Sequence, residues 1–133
     1  MTTTLDVLVA GAKQHEGNWC YHIDNDWMQG RTAYGGISAA LALDAALRNH
    51  PGNAPLRTAQ ISFVGPVGGE CQVATRLLRQ SKSSRFVAVD LMSDLGYGTG
   101  ATFSFMKGRP SHIDHRIITA PDVPHPDTLA PIP

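Results

Sequence analysis

The feature that most constrains the fold is a glycine pair followed directly by an almost wholly apolar segment. Gly35 and Gly36 follow Tyr34, and nine of the eleven residues from Ile37 to Leu47 are apolar. Many of these are alanines, which have the highest helix propensity of all residues. A helix that is apolar on nearly every side is buried rather than laid on a surface. The segment therefore predicts a central helix around which the rest of the chain folds.

The glycines also indicate where chemistry can take place. Because they lack side chains, Gly35 and Gly36 let a ligand approach backbone N–H groups that have no partner inside the helix. Those groups lie at the positive end of the helix dipole and suit a carbonyl oxygen that gains negative charge. The alternative is that the glycines only permit a tight turn and close packing of the helix on a sheet. Tyr34 either borders the resulting channel or simply packs beside it.

Length and composition exclude several classes of protein. A chain of 133 residues is expected to form one domain. The formal net charge is zero, which gives no reason to expect nucleic acid or an anionic membrane as a partner. No apolar stretch reaches membrane-spanning length, and the first residues lack the basic region of a secretory signal. Cys20 and Cys71 are not spaced as C-x-x-C, so we expect free thiols and a cytoplasmic location.

The pattern of apolar residues changes along the chain. Residues 5–16 are predicted to form a short amphipathic helix, 19–23 a strand, and 24–34 a loop that leads into the central helix. After the helix, apolar residues recur at every second position. Four strands are predicted, at 56–64, 69–79, 85–93 and 98–107, and their short connections make neighbouring strands antiparallel. One antiparallel sheet against one helix is an α+β layout.

The end of the chain differs from the rest in composition. Five prolines occur between residues 121 and 133. Proline removes a backbone donor and cannot continue a sheet, so this segment is predicted to be an extended arm or linker. The expected division is a folded domain over 1–120 and an arm over 121–133.

Three segments resemble one known family. They are the glycine pair with its helix, a strand that ends in the aromatic-x-x-Pro-x-Gly pattern of residues 63–68, and the Leu-Arg-x-x-Lys turn of residues 78–82. In this order they are similar to the N-terminal half of the bacterial type II acyl-CoA thioesterases, a hotdog-fold family. The resemblance covers about residues 17–107 and implies a single hotdog domain, with a sheet wrapped around the central helix.

The chain also departs from that family. In those thioesterases two hotdog units share one chain, and the catalytic carboxylate with its partners lies in the second unit. The resemblance covers only the first unit, so those catalytic residues cannot be carried over to this chain. Single-unit hotdog thioesterases often carry an Asp or Glu seven residues after the second glycine, where this chain has Leu43. Asp44 comes one residue later, which turns its side chain by about 100° around the helix axis.

Two polar residues are candidates for catalysis. Asp44 is the best placed carboxylate to activate water, and its alternative role is an ion pair with Arg48 four residues later. Gln60, on the strand after the helix, either orients water or a carbonyl group or is an ordinary polar strand residue. No G-x-S-x-G sequence is present, which argues against a serine hydrolase.

Basic residues near a predicted turn are candidates for substrate binding. Arg79, Lys82 and Arg85 flank the turn and could hold the phosphates of coenzyme A, although a solvated hairpin is the alternative. The polar segment with His112, Asp114, His115, Asp122 and His125 does not have the spacing of a metal site. We therefore expect neither a metal nor a cofactor.

These observations lead to a first hypothesis about function. The resemblance implies an acyl-CoA thioesterase-like protein that hydrolyses an acyl thioester to a free acid and coenzyme A. The alternative is a non-catalytic acyl-CoA-binding or assembly subunit, because the usual catalytic residues are missing. A hotdog hydratase fits less well, since His22 and Asp24 are the only suitable pair and lie at a strand end.

The predicted sheet and helix also imply a partner. A single sheet of this kind leaves a long edge and an apolar patch exposed, which a monomer rarely tolerates. We therefore expect a homodimer or a dimer of dimers, with the acyl channel between subunits.

Overall fold

The computed structural model describes residues 3–131. These residues form two α-helices and eight strands, in chain order α1 (Leu5–Ala10), β1 (Lys13–His15), β2 (Asn18–Ile23), β3 (Met28–Gln29), β4 (Thr32–Ala33), α2 (Gly35–Asn49), β5 (Leu56–Phe63), β6 (Gly69–Gln80), β7 (Ser84–Ser93) and β8 (Gly96–Met106). No helix in this part of the chain is long and apolar enough to cross a membrane.

Six of the strands form one sheet in the order β1-β2-β6-β7-β8-β5, and every neighbouring pair is antiparallel. The small β3–β4 hairpin lies apart from it. Strand β5 follows the helix in sequence but pairs only with β8, so it forms one edge of the sheet. Among the described residues no strand pairs with the other edge of β5.

Helix α2 packs on one face of this sheet and forms the core with it. Leu41, Ala42, Ala45 and Ala46 are all fully buried. The sheet residues under the helix alternate along their strands, as the two-residue period requires; those buried include Val73, Val87, Val89, Leu91, Phe103 and Phe105. The predicted α+β architecture, an antiparallel sheet wrapped around a long central helix, is confirmed.

The N-terminal prediction was partly wrong. Helix α1 ends at Ala10, and residues 13–15, predicted as its last turn, form β1 instead. A tight turn at Glu16 and Gly17, both with positive φ (49° and 82°), folds β1 back onto β2. The backbone of β1 gains its hydrogen-bond partners from this hairpin, whereas a short isolated helix gains few tertiary contacts.

The C-terminal part of the chain leaves the sheet. Residues 107–131 are exposed throughout, with a single 3-10 turn at Pro126–Thr128. Residues 132–133 of the predicted arm, and residues 1–2 of the predicted domain, lie outside the described residues. The domain boundary at residue 120 stays a prediction.

Candidate functional site

A cleft of about 700 Å³ opens at the start of α2. It lies between the helix start, the β3–β4 hairpin and the segment that joins β5 to β6. The lining is mostly apolar or small, apart from the amide of Gln29 and the guanidinium of Arg31; it consists of Gln29, Arg31, Thr32, Ala33, Gly35, Ser38, Phe63, Val64, Gly65, Pro66, Val67, Leu95 and Thr99. Its shape and lining suit an acyl chain that ends in a polar group.

Gly35 is the first helical residue, as the sequence predicts, and it lines this cleft. Its N–H, like that of Gly36, donates to no backbone oxygen of residues 3–131, and Tyr34 provides no side-chain cap. A Cβ built on Gly35 would lie 3.2 Å from the Phe63 ring, so glycine keeps the space beside the amide open. The positive end of the helix dipole therefore faces an apolar cavity.

Gly36 and Tyr34 lie beside the cleft rather than in its wall. The Tyr34 ring is about half exposed and packs over Gly36, where a Cβ would overlap it. Gly36 therefore has a close packing contact as well as an unpaired amide. The roles of Tyr34 and Gly36 in substrate binding stay predictions.

Two buried hydroxyl residues line the cleft, and the sequence interpretation assigned neither of them to a binding site. Thr99, on β8, is 1% exposed, and its Oγ1 has no hydrogen-bond partner among the described residues. Ser38, one turn into α2, is 2% exposed. A buried polar atom without a partner is costly and marks a place where a bound group can supply the missing hydrogen bond. No sequence signal distinguishes Thr99 from the other threonines of the sheet.

Asp44 lies on α2 about 13 Å along the axis from Gly35. Its Oδ2 accepts hydrogen bonds from the Tyr21 hydroxyl (2.7 Å) and from Nε of Arg48 (2.6 Å). Burial, and then the hydrogen bond to Asp44, raises the pKa of Tyr21, which keeps its hydroxyl protonated as a donor. Asp44 is not among the cleft residues, so the structure does not bring it together with Gly35. Its catalytic role stays a prediction.

Gln60 is exposed on β5 and pairs with Thr102. Side chains alternate along a strand, so Gln60 lies on the face opposite Ile61 and Phe63. It lines a shallow depression on the outer face of the sheet together with Arg76 and Asp90. The structure therefore separates Gln60 from the cleft, and its predicted role is untested.

The three basic candidates do not act as one group. Lys82 and Arg85 line a second, smaller cavity at the opposite end of α2. Arg79 is exposed on β6 and does not line that cavity.

The cysteines and histidines form no alternative centre. Cys20 and Cys71 are both free. Burial raises the pKa of the Cys71 thiol to about 12, so it is not a thiolate nucleophile at neutral pH. Within residues 3–131, no group of three or more His, Cys, Asp or Glu side chains is arranged to hold a metal ion.

Several solved structures share this fold. A conserved protein of unknown function with a hotdog fold from Alicyclobacillus acidocaldarius matches all of the chain with a TM-score of 0.78 and 22% identity, and the match covers 52% of that protein. A candidate thioesterase II from Thermobifida fusca matches 94% of the chain with a TM-score of 0.73 and 19% identity, over 47% of its own length. The chain thus spans about half the length of these two proteins.

A third solved structure carries a ligand. A Bacillus halodurans protein solved with CoA matches 80% of the chain and is itself covered over 76% of its length, with a TM-score of 0.64 and 22% identity. These identities are low, so the likeness establishes the hotdog fold alone. A search of curated proteins by sequence gave no match.

The sequence itself matches a family model over residues 23–106, from the end of β2 to the end of β8. The model describes the N-terminal domain of acyl-CoA thioesterases. The matched region contains the whole of α2, the cleft at its start and the four long strands. The chain therefore belongs to the acyl-CoA thioesterase N-terminal domain family, as a thioesterase-like protein with the hotdog fold.

Proposed function

We propose that the protein binds an acyl-CoA thioester in the cleft and hydrolyses it to a free acid and coenzyme A. The observation that carries this proposal is the start of α2, where the unpaired Gly35 N–H lies at the wall of an apolar cavity. An acyl chain would occupy the apolar part, and its carbonyl oxygen would accept from this amide as negative charge develops. Family membership and the fold support the same substrate class.

The source of the water-activating group follows from what lines the cleft. Within residues 3–131 no Asp, Glu or His contributes to its wall. Asp44 remains a candidate, but its carboxylate is bonded to Tyr21 and Arg48. The lining therefore favours a second source, which is a polar group contributed by another subunit that faces the cleft.

A homodimer supplies such a subunit. Within residues 3–131 one edge of β5 is unpaired, and α2 carries an apolar stripe of Gly36, Ala40, Leu43 and Leu47, which are spaced as one helix face. Leu47 is 44% exposed, and Phe63 at the end of β5 is 61% exposed. We propose that a second copy pairs along β5 and covers this stripe, because an unpaired strand and an apolar helix face then become buried together. A dimer of dimers and a cytoplasmic location stay predictions.

The test of hydrolysis compares two substitutions at one position. Gly35→Pro removes the amide N–H, and proline suits the first helical position, where the preceding Tyr34 has ψ 127°. Gly35→Ala keeps the N–H and serves as the matched control. With a panel of acyl-CoA substrates and thiol release as the assay, we expect Gly35→Pro to lower kcat by about 100-fold or more while Gly35→Ala stays active. Equal activity of the two folded variants would show that this amide does not bind the carbonyl.

The second candidate function is a non-catalytic acyl-CoA-binding subunit. It is favoured by the same lining, which lacks a carboxylate or imidazole among the described residues. Calorimetric binding of acyl-CoA without thiol release from any member of the panel would support this function. Turnover that depends on the Gly35 amide would exclude it.

A further inference from the structure

The wall of the cleft carries a hydroxyl group that the proposed reaction does not use. Thr99 belongs to the inward-facing row of β8, in which Thr99, Ala101, Phe103 and Phe105 are all buried and alternate with outward-facing residues. The other three members of this row are apolar and form part of the core. Thr99 is the member at the cleft. The row therefore brings one polar group to the boundary between the core and the cavity.

The side chains around Thr99 offer it no hydrogen bond. Its cross-strand partners are Leu91 on β7 and Phe63 on β5, both apolar. The neighbouring Gly98 is packed against Val67, whose side chain a Cβ on Gly98 would overlap. Within the described part of the chain, Oγ1 of Thr99 accordingly has no partner. The hydroxyl lies in apolar surroundings.

Other hydroxyl groups nearby differ from Thr99 in this respect. Ser104, on the same strand, is 2% exposed, and its hydroxyl bonds to the hydroxyl of Thr58. Thr32 lines the cleft together with Thr99, but its Oγ1 accepts a hydrogen bond of 3.1 Å from the Val67 amide. Among residues 3–131, the buried hydroxyl oxygen without a partner is the one that lies at the cleft.

Threonine at this position has a cost that valine would not have. Valine has nearly the same shape and suits a strand with apolar neighbours. The hydroxyl of Thr99 instead loses its hydration without gaining a hydrogen bond in the protein. A bound molecule that presents an oxygen atom would offset this cost. Because a threonine hydroxyl both donates and accepts, either a hydroxyl or a carbonyl oxygen fits.

The position of Thr99 relative to Gly35 indicates which part of the substrate it meets. A Cβ on Gly35 would lie 3.2 Å from the Phe63 ring, and Phe63 pairs with Thr99 across β5 and β8. Gly35 and Thr99 thus flank the same side chain. An acyl group whose thioester carbonyl lies at the Gly35 amide runs past Phe63 before it reaches Thr99. The oxygen that meets Thr99 then belongs to the acyl chain rather than to the thioester.

We propose that the cleft selects acyl groups that carry a hydroxyl or oxo group along the chain, and that Thr99 recognises this oxygen. This inference rests on the proposed function and names its class of substrate. Apolar residues of the same wall, such as Val64, Pro66 and Leu95, would contact the carbon atoms of the chain. A site that hydrogen-bonds a substrate oxygen rejects the analogue without it, because the polar group of the site then stays unpaired.

The test uses acyl-CoA substrates of one chain length that are unsubstituted, hydroxylated at successive carbons, or oxidised to the ketone at the same carbons. We expect the best oxygenated member to have a kcat/KM about tenfold or more above that of the unsubstituted member. Thr99→Val should remove this preference by lowering kcat/KM for the oxygenated member alone. Thr99→Ser keeps a hydroxyl and should keep the preference. The hydroxyl and oxo members show which oxygen is preferred.

Thr102→Val is the matched control. Thr102 lies on the same strand but lines the depression on the outer face of the sheet, so its loss should leave the preference of the parent protein unchanged. A general loss of packing lowers activity on both kinds of substrate alike, whereas the ratio between them reports recognition. If Thr99→Val lowered kcat equally on both kinds, the hydroxyl would act on the thioester or on water, and the inference would be wrong.

A binding measurement separates this inference from the proposed function. Thioether analogues of the same substrates cannot be hydrolysed, and calorimetry measures their affinity without turnover. Tighter binding of the oxygenated analogue that is lost in Thr99→Val supports recognition by Thr99 even if no thioester is hydrolysed. If the parent protein hydrolyses the unsubstituted member as well as or better than every oxygenated one, the inference is overturned and the proposed function stands.

Discussion

At the scale of single residues, Asp44 joins three elements through its carboxylate. It accepts from Tyr21 on β2 and from Arg48 on its own helix, and Arg48 in turn donates to the Val9 carbonyl at 3.0 Å. Arg48 also lies 4.6 Å from the centre of the Trp19 ring. This network holds the N-terminal segment against α2. It accounts for a carboxylate at position 44 without giving that carboxylate any role in the cleft.

A substitution at Asp44 separates structure from catalysis. Asp44→Ala leaves the buried Tyr21 hydroxyl without its acceptor and should lower the free energy of unfolding by about 1–3 kcal/mol. Asp44→Asn keeps an acceptor oxygen and should lose less. Urea denaturation measures both, and we expect the turnover per folded molecule to be retained. If a folded Asp44→Asn variant lost turnover instead, the carboxylate would be assigned as the base that activates water.

His50 gives the folded state a defined pH response. Burial, and then the charge of Arg85, lowers its pKa from the ordinary 6.5, while its Nε2 lies 3.1 Å from Oγ1 of Thr75. Below about pH 6.5 the unfolded chain takes up a proton that the folded chain resists, so stability is lost as the pH falls through this value toward the folded pKa. The contribution of His50 to the stability of the folded state is fully present above about pH 6.5.

Denaturation at pH 7.5 and pH 5.5 checks this response. His50→Gln should lose less stability between the two values than the parent protein does. A slope in His50→Gln as steep as in the parent would show that other groups cause the pH dependence.

At the scale of elements, α2 is defined by the small residues on its buried side. Ala42, Ala45 and Ala46 are completely buried in the core between α2 and the sheet, and protein interiors are close-packed with few voids. Ala45→Leu should therefore lower the free energy of unfolding by about 1–3 kcal/mol through overpacking. Ala40→Leu, on the partly exposed stripe, is the control and should cost less. Thermal unfolding of both variants measures the difference.

The elements differ in how well the sequence predicts them. The five longer strands and α2 were predicted within one or two residues of their ends, because alternation and uniform apolarity are strong signals. Strand β1 was missed because Lys13–His15 is polar and wholly exposed, so nothing alternates along it. Its formation depends on the turn at Glu16 and Gly17, a pair that is not among the strong hairpin sequences.

The candidate site was predictable only where it is local in sequence. The sequence indicates Gly35 as a candidate because the glycine pair and the central helix are contiguous in the chain. Lys82 and Arg85, named together from the sequence, line the second cavity, whereas Gly52 and Lys107 come from other segments and join it only in the fold. Thr99 carries no signal of its own. The sequence does not predict the hydrogen bond from Tyr21 to Asp44 either, because 23 positions separate the two residues.

At the scale of the whole molecule, pairing along β5 can be tested by its apolar contacts. Leu47→Glu places a charge on the stripe of α2 that a second copy would cover, and we expect it to shift the protein to monomers without unfolding it. Leu78→Glu is the matched control, since Leu78 is 48% exposed on an interior strand of the sheet. Light scattering after size exclusion gives the mass. A parent protein that is monomeric at all concentrations would contradict the proposed dimer.

The unpaired edge of β5 has a further consequence for how the protein would behave in solution. If each cleft is completed by a neighbour, specific activity obeys mass action: it falls on dilution below the dissociation constant of the pair and recovers on concentration. Joining two copies through a flexible covalent linker would make their encounter intramolecular and abolish this dependence.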